Sequence, residues 1–149
     1  MDQLTIAMKI VLANTFVMYF KAHSYHWNVE GMFFSQLHDF FGELYEELHG
    51  AVDPIAEEIR ALNSYAPISM NDLYLHKTCM EDSFKPTDAT EMINNLLTSN
   101  DSVLSALNSS FKIATDNNQQ GLADFISGRI DTHNKHAWML KAYLGKSGN

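Results

Sequence analysis

The sequence predicts an all-α fold: one domain over residues 1–149, built as a four-helix bundle. A long crossover carrying a short helix is expected between the second and third long helices. Three observations lead there. Apolar residues recur at three- and four-residue spacing through most of the chain. No segment alternates with the period of a strand. Two of the three prolines, Pro67 and Pro86, fall in a stretch, 64 to 86, where the helical rhythm is lost. A hydrophobic content of 46 % in 149 residues fits a globular chain with a real core.

The first helix is expected from Leu4 to about Tyr25. One apolar row runs through Leu4, Met8, Val11, Met18 and Ala22, a second through Ile6, Ile10, Ala13, Val17 and Phe20. Two rows leave little polar face, so this helix should be covered on more than one side, as an oligomer would cover it. The second helix, residues 35 to 62, reads Leu37, Phe41, Leu44, Leu48, Val52, Ile55, Ile59, Leu62. Pro54 interrupts it. Asp53 would either cap a new helical segment there or be aimed outward by a kink. A short helix fits Met70 to Leu75. The third long helix begins after Pro86, capped by Thr87 or Asp88, and runs from Ala89 to Ala114. Asp116-Asn117-Asn118 marks a turn. The fourth runs from Leu122 to Leu144, with Gly145 placed to end it in the left-handed conformation.

Net charge is −8, and between Ala22 and Asn63 eight acids face Arg60 alone. Such a stretch is either a solvated face or a surface that attracts cations. Cys79 is the only cysteine, which excludes an intrachain disulfide and suits a reducing compartment. The N-terminus shows no basic leader, and Lys9 and Asn14 interrupt the apolar run from Leu4 to Phe20. Neither a signal peptide nor a membrane span is expected, and a cytoplasmic location is.

The chemistry concentrates in His26-Trp27-Asn28-Val29-Glu30-Gly31, then His38, then Asp53-Pro54-Ile55-Ala56-Glu57. Two histidines and two carboxylates are four plausible iron ligands. On one helix, however, His38 and Asp53 lie about 22 Å apart. Ligand bonds are roughly 2 Å, so no single metal touches both. If the cluster is a site, two copies of the chain must pair, one giving histidines and the other carboxylates. His23, His49, His76, His133 and His136 have no matching constellation and are read as structural or surface. A di-iron site inside one bundle needs two Glu-x-x-His motifs. Only Glu46-Glu47-Leu48-His49 matches, and no glutamate follows Glu91.

These residues, with His136-Ala137-Trp138-Met139-Leu140-Lys141-Ala142-Tyr143-Leu144 near the end, resemble the Dps family of ferritin-like proteins (mini-ferritins, DNA-binding proteins from starved cells). The pattern of His-Trp-Asn, a glycine, a Leu-His pair and Asp followed by Ala-Glu occurs in order. The resemblance implies a hollow twelve-subunit shell with ferroxidase sites at two-fold interfaces. There Fe(II) is oxidised to Fe(III), typically by hydrogen peroxide and otherwise by dioxygen, and the ferric mineral is stored inside, which protects against oxidative damage. It implies that His26 and His38 form one half of each site, and Asp53 with Glu57 of the partner the other half. Trp27, beside a ligand, would either intercept a stray radical or serve as core.

Two positions depart from the pattern. Four residues after the second histidine the family has an acid, and here stands Gly42; this favours one tight iron position over two, with Gly42→Asp expected to strengthen the second. After the Ala-Glu pair an arginine is replaced by Glu58. Gly42 also supports the alternative of a shell with a degraded, non-catalytic site. DNA compaction is the third reading. It is disfavoured, because DNA affinity rests on Lys and Arg, the charge is −8, and only Lys9 lies near the start of the first helix.

Overall fold

The computed structural model describes residues 2–145. Four long helices and one short one make up the fold: α1 (Gln3–Asn28), α2 (Phe34–Ala61), α3 (Met70–Tyr74), α4 (Ala89–Asp116) and α5 (Gln120–Tyr143). This is the expected all-α ferritin-like bundle, with α3 in the crossover. α1 packs on α2 and on α4, and α4 packs on α5.

Three helix starts, those of α1, α3 and α4, are capped by a side chain. Asp2 accepts a hydrogen bond from the Leu4 amide (3.2 Å), and Ser69 from the Asp72 amide (3.1 Å). Asp88 accepts from the Glu91 amide (2.9 Å), while Glu91 reaches back to accept from the Thr87 amide (2.6 Å). Such caps satisfy amides that a helix start leaves unpaired. Gly145 takes φ +73°, the left-handed ending expected from its position.

α2 continues through Pro54 as one helix. Asp53 therefore caps no new segment, contrary to that sequence expectation. Pro54 is exposed, and Gly50, whose carbonyl the proline leaves unpaired, is exposed too. Solvent can satisfy that carbonyl, which lets the helix pass.

The core layer is made by Met8, Val11 and Met18 of α1, Phe41, Leu48, Ile55 and Ile59 of α2, Leu96 and Leu107 of α4, and Ile126 and Leu140 of α5. Burying each of these contributes about 1.5–3 kcal/mol. The second apolar side of α1 is covered in part within the chain: Ala13 and Val17 are buried, Ile10 is half-buried, and the crossover ties down the polar residues beside them. Buried Asn14 donates to Thr78 Oγ1 (2.8 Å) and accepts from the Thr78 and Cys79 amides (2.8 and 2.9 Å). Buried Lys21 donates to the Met80 carbonyl (2.8 Å) and to Ser99 Oγ (2.7 Å). The chain therefore covers one apolar side of α1 fully and the other in part. What stays uncovered on it is Ile6, Phe20 and Trp27. By length and composition α1 is apolar enough to cross a membrane, which the sequence reading did not expect. Its place in the core and its buried Asn14 and Lys21 identify it as the central helix of the bundle.

Candidate metal half-site

His26 lies in the last turn of α1 and His38 in the second turn of α2. The chain reverses between them through a short loop in which Gly31 takes φ +109°, a conformation that strains any side chain. The reversal brings the two histidines into reciprocal contact. His26 Nδ1 donates to the His38 carbonyl (2.6 Å), and His38 Nδ1 donates to the His26 carbonyl (2.7 Å). Their rings stack at 3.8 Å between centroids, 18° from parallel. Phe34 covers the other face of His38 at 5.1 Å. A carbonyl only accepts, so both Nδ1 atoms carry a proton, and in the neutral rings both Nε2 atoms keep a lone pair. That is how metal-binding imidazoles are commonly oriented and made more basic.

Gly42 has a steric role here. A Cβ at position 42 would lie 3.1 Å from His26 Nδ1 and 3.2 Å from its Cε1. The ring lies against the bare backbone of α2, where a side chain would press on it.

Asp53 and Glu57 are exposed, one turn apart on α2, far along the helix from His38. The chain does not bring them to the histidines. Among the described residues no group of three or more His, Cys, Asp or Glu could hold a metal within one chain. The four candidate residues therefore lie apart in the chain, the histidines paired and the carboxylates further along α2. Two imidazole nitrogens with two hard carboxylates form a donor set that accepts Fe(II) and favours Fe(III).

Next to the histidine pair stands an aromatic stripe that sequence reasoning missed. His23 stacks on Tyr45 (3.7 Å, 7°) and contacts Trp27 (4.1 Å), and its Nδ1 hydrogen-bonds the Tyr19 hydroxyl (3.0 Å). Tyr45 lies 5.3 Å from His26, and Tyr19 lies 4.9 Å from His49. Burial, and then the neighbouring His26 and His49, lower the His23 pKa. The available signal was spacing: Tyr19, His23 and His26 on α1, and His38, Tyr45 and His49 on α2, each follow a three- or four-residue rhythm or its multiples.

The interior of the bundle is closed by other means. Glu47 points inward and accepts two bonds from Arg129 (2.6 and 3.1 Å), with His136 Nε2 at 2.7 Å. Arg129 also donates to His133 Nε2 (3.1 Å), whose Nδ1 donates to Asn100 Oδ1 (2.7 Å). Burial would raise the Glu47 pKa, but bonds and charge from His136 and Arg129 hold it down at about 2. Burial, then Arg129 and His136, press His133 down to about 3. These groups hold one another, so His133 and His136 are structural, as the sequence reading had them. In the lone Glu-x-x-His match, Glu46 and His49 both face solvent.

The chain is similar to known proteins along nearly its whole length. Residues 7–147 match the family model for the ferritin-like domain. General stress protein 20U of Bacillus subtilis is 33 % identical over 97 % of this chain and 99 % of its own. The DNA protection during starvation protein of Brevibacillus brevis is 30 % identical over 89 % of each. The X-ray structure of Dps from Thermosynechococcus elongatus superposes with a TM-score of 0.92 at 28 % identity, covering 97 % of this chain and 92 % of that one. With a family model and relatives of at least 30 % identity spanning almost the entire chain, and with the bundle and its crossover in agreement, this protein belongs to the Dps family of the ferritin-like superfamily.

Proposed function

We propose that this chain is a subunit of a homo-oligomeric, iron-oxidising and iron-storing shell, a dodecamer working in the cytoplasm. Its ferroxidase centres are shared across two-fold interfaces: His26 and His38 from one chain, Asp53 and Glu57 from the next. The carrying observation is the reciprocal His26–His38 pair, which fixes two tautomers and leaves two Nε2 lone pairs with no carboxylate of their own chain in reach. Iron is the substrate. Two Fe(II) give one electron each to hydrogen peroxide; its O–O bond breaks, two protons are taken up, and two waters leave with two Fe(III). The paired imidazoles hold Fe(II), and the carboxylates stabilise the ferric product. Dioxygen is the alternative oxidant.

Light scattering should give a mass about twelve times 16.9 kDa. His38→Ala should slow iron oxidation by about two orders of magnitude, in line with losing a positioned group at a reacting centre, while the assembly survives. A stable monomer, or unimpaired oxidation in the variant, overturns the reading. The second reading, a shell with a non-catalytic site, draws on Gly42 and on the His26 ring that lies against it. Anaerobic Fe(II) titration followed by peroxide separates the two: a non-catalytic shell binds without oxidising.

A further inference from the structure

The proposed donor set is one acid short at Gly42, and a replacement must come from a residue that faces the same interface. Glu43 does not. At about 100° per residue it stands roughly 140° round α2 from His38. His49 does. At about 100° per residue it stands roughly 20° round α2 from His38, in one stripe with Asp53 and Glu57. It is exposed, and its ring rests on Tyr19 at 4.9 Å, a platform that itself is tied through its hydroxyl to His23.

The pairing of helices fixes what His49 meets. If His38 faces Asp53 and Glu57 of the partner subunit, the two-fold axis crosses α2 between about residues 45 and 48, midway along the ~1.5 Å steps that separate them. The residue opposite His49 is then one between 42 and 46 of the other copy. His49 precedes Asp53 by one turn, about 6 Å towards the axis, a distance an imidazole spans. With the axis at the residue-45 end of that range, it arrives opposite Gly42, one turn from His38. This argument rests on the interfacial reading proposed above.

We propose that His49 is a third imidazole ligand of each centre, delivered together with Asp53 and Glu57 from the partner subunit opposite Gly42. The centre then has three nitrogen and two carboxylate donors. Such a set suits borderline divalent ions such as Fe(II), Co(II) and Zn(II) better than Mg(II) or Mn(II). It also gives the second metal position a protein ligand in place of the absent acid.

The test is anaerobic titration of the assembled protein with Co(II), read by calorimetry and by the visible spectrum of the ion. Wild type, His49→Gln and His38→Ala are compared, with light scattering to check that each assembles. The expected result is two binding events in wild type. His49→Gln should weaken the second by roughly tenfold or more, at least what losing an outer-shell partner costs, and reduce the visible band while sparing the first. An unchanged second event and spectrum overturns the proposal. Equal weakening of both events also overturns it, since His49 would then shape the interface without binding metal. If His38→Ala leaves both events intact, the interfacial reading itself fails, whatever His49 does.

Discussion

Replacing Gly42 by alanine should damage the proposed metal site while leaving the protein folded. The new Cβ would sit 3.1 and 3.2 Å from two atoms of the His26 ring. Comfortable contacts are about 3.5–4.0 Å, so the ring must yield by a few tenths of an ångström. It has little freedom to do so, because its Nδ1 is bound to the His38 carbonyl at 2.6 Å and its face is stacked on His38 at 3.8 Å. Crowding of this kind costs about 1–3 kcal/mol. Removing a mid-helix glycine returns about 0.5–1 kcal/mol. Net stability should therefore fall by about 0–2.5 kcal/mol, towards the low end if the ring shifts. The shift is then felt at Nε2, where the hydrogen bond that orients the imidazole is disturbed. Losing such an outer-shell partner weakens metal binding by roughly 10–100-fold.

Gly42→Asp carries the same Cβ plus the acid that the family pattern has. From sequence alone it should strengthen the second metal event; from the structure it must first displace His26. Comparing it with Gly42→Ala isolates the carboxylate: Asp should bind more tightly than Ala and gain little over wild type. The assay is anaerobic Co(II) or Zn(II) calorimetry beside thermal unfolding. Wild-type affinity in Gly42→Ala would refute the argument that His26 needs a bare backbone beside it.

Other outcomes follow from the bundle interior and from charge. Glu47→Ala would leave the Arg129 and His136 side chains, 12 % and 6 % exposed, without their counter-charge. It should cost about 3 kcal/mol, the low end for breaking a buried pair because Glu47 is itself one-third exposed; a loss below about 1 kcal/mol in urea unfolding would contradict this. Acid should destabilise the protein from about neutrality downward. The His133 pKa is lowered from 6.5 to about 3, so the unfolded chain takes the proton first; the stabilisation is complete above pH 6.5 and is lost as pH falls towards 3. Glu47, lowered from 4.5 to about 2, adds a further loss below pH 4.5. His133→Gln should flatten the dependence of unfolding on pH between 6.5 and 4.5, and an unchanged slope would count against it. DNA should give no mobility shift at physiological salt, because a chain of net charge −8 repels a polyanion; a persistent shift would refute this.

The helices were legible in the sequence because each buries a stripe that recurs every three or four residues, and that signal is local. The covering of α1 was not. Its agents are Asn14 and Lys21, polar residues inside an apolar run, whose partners lie 59 or more positions away. From the sequence they read as interruptions of a hydrophobic helix; in the fold they tie the crossover down. The orientation of the second helix was half legible. Glu47 and His49 are neighbours in one short motif, but the first turns into the bundle to meet Arg129 and the second turns out. Two residues apart on a helix is about 200° of rotation, so Glu47, between the motif's Glu46 and His49, faces the opposite way from His49.

The candidate site shows why residue identity and residue geometry carry different information. His26, His38, Asp53 and Glu57 could be chosen from their types and spacing, and the distance along one helix already separated them into two halves. What the spacing could not supply is the state of the imidazoles. That state follows from the loop: Gly31 lets α2 turn back, so each histidine meets the backbone carbonyl of the other. The same reversal lays His26 against position 42, where a bare backbone gives the ring its space. The missing acid at Gly42 and the ordered histidine pair are thus one structural fact. A side chain at position 42 would press the His26 ring out of its present place by a few tenths of an ångström, so the bare backbone there and the ordered histidine pair go together.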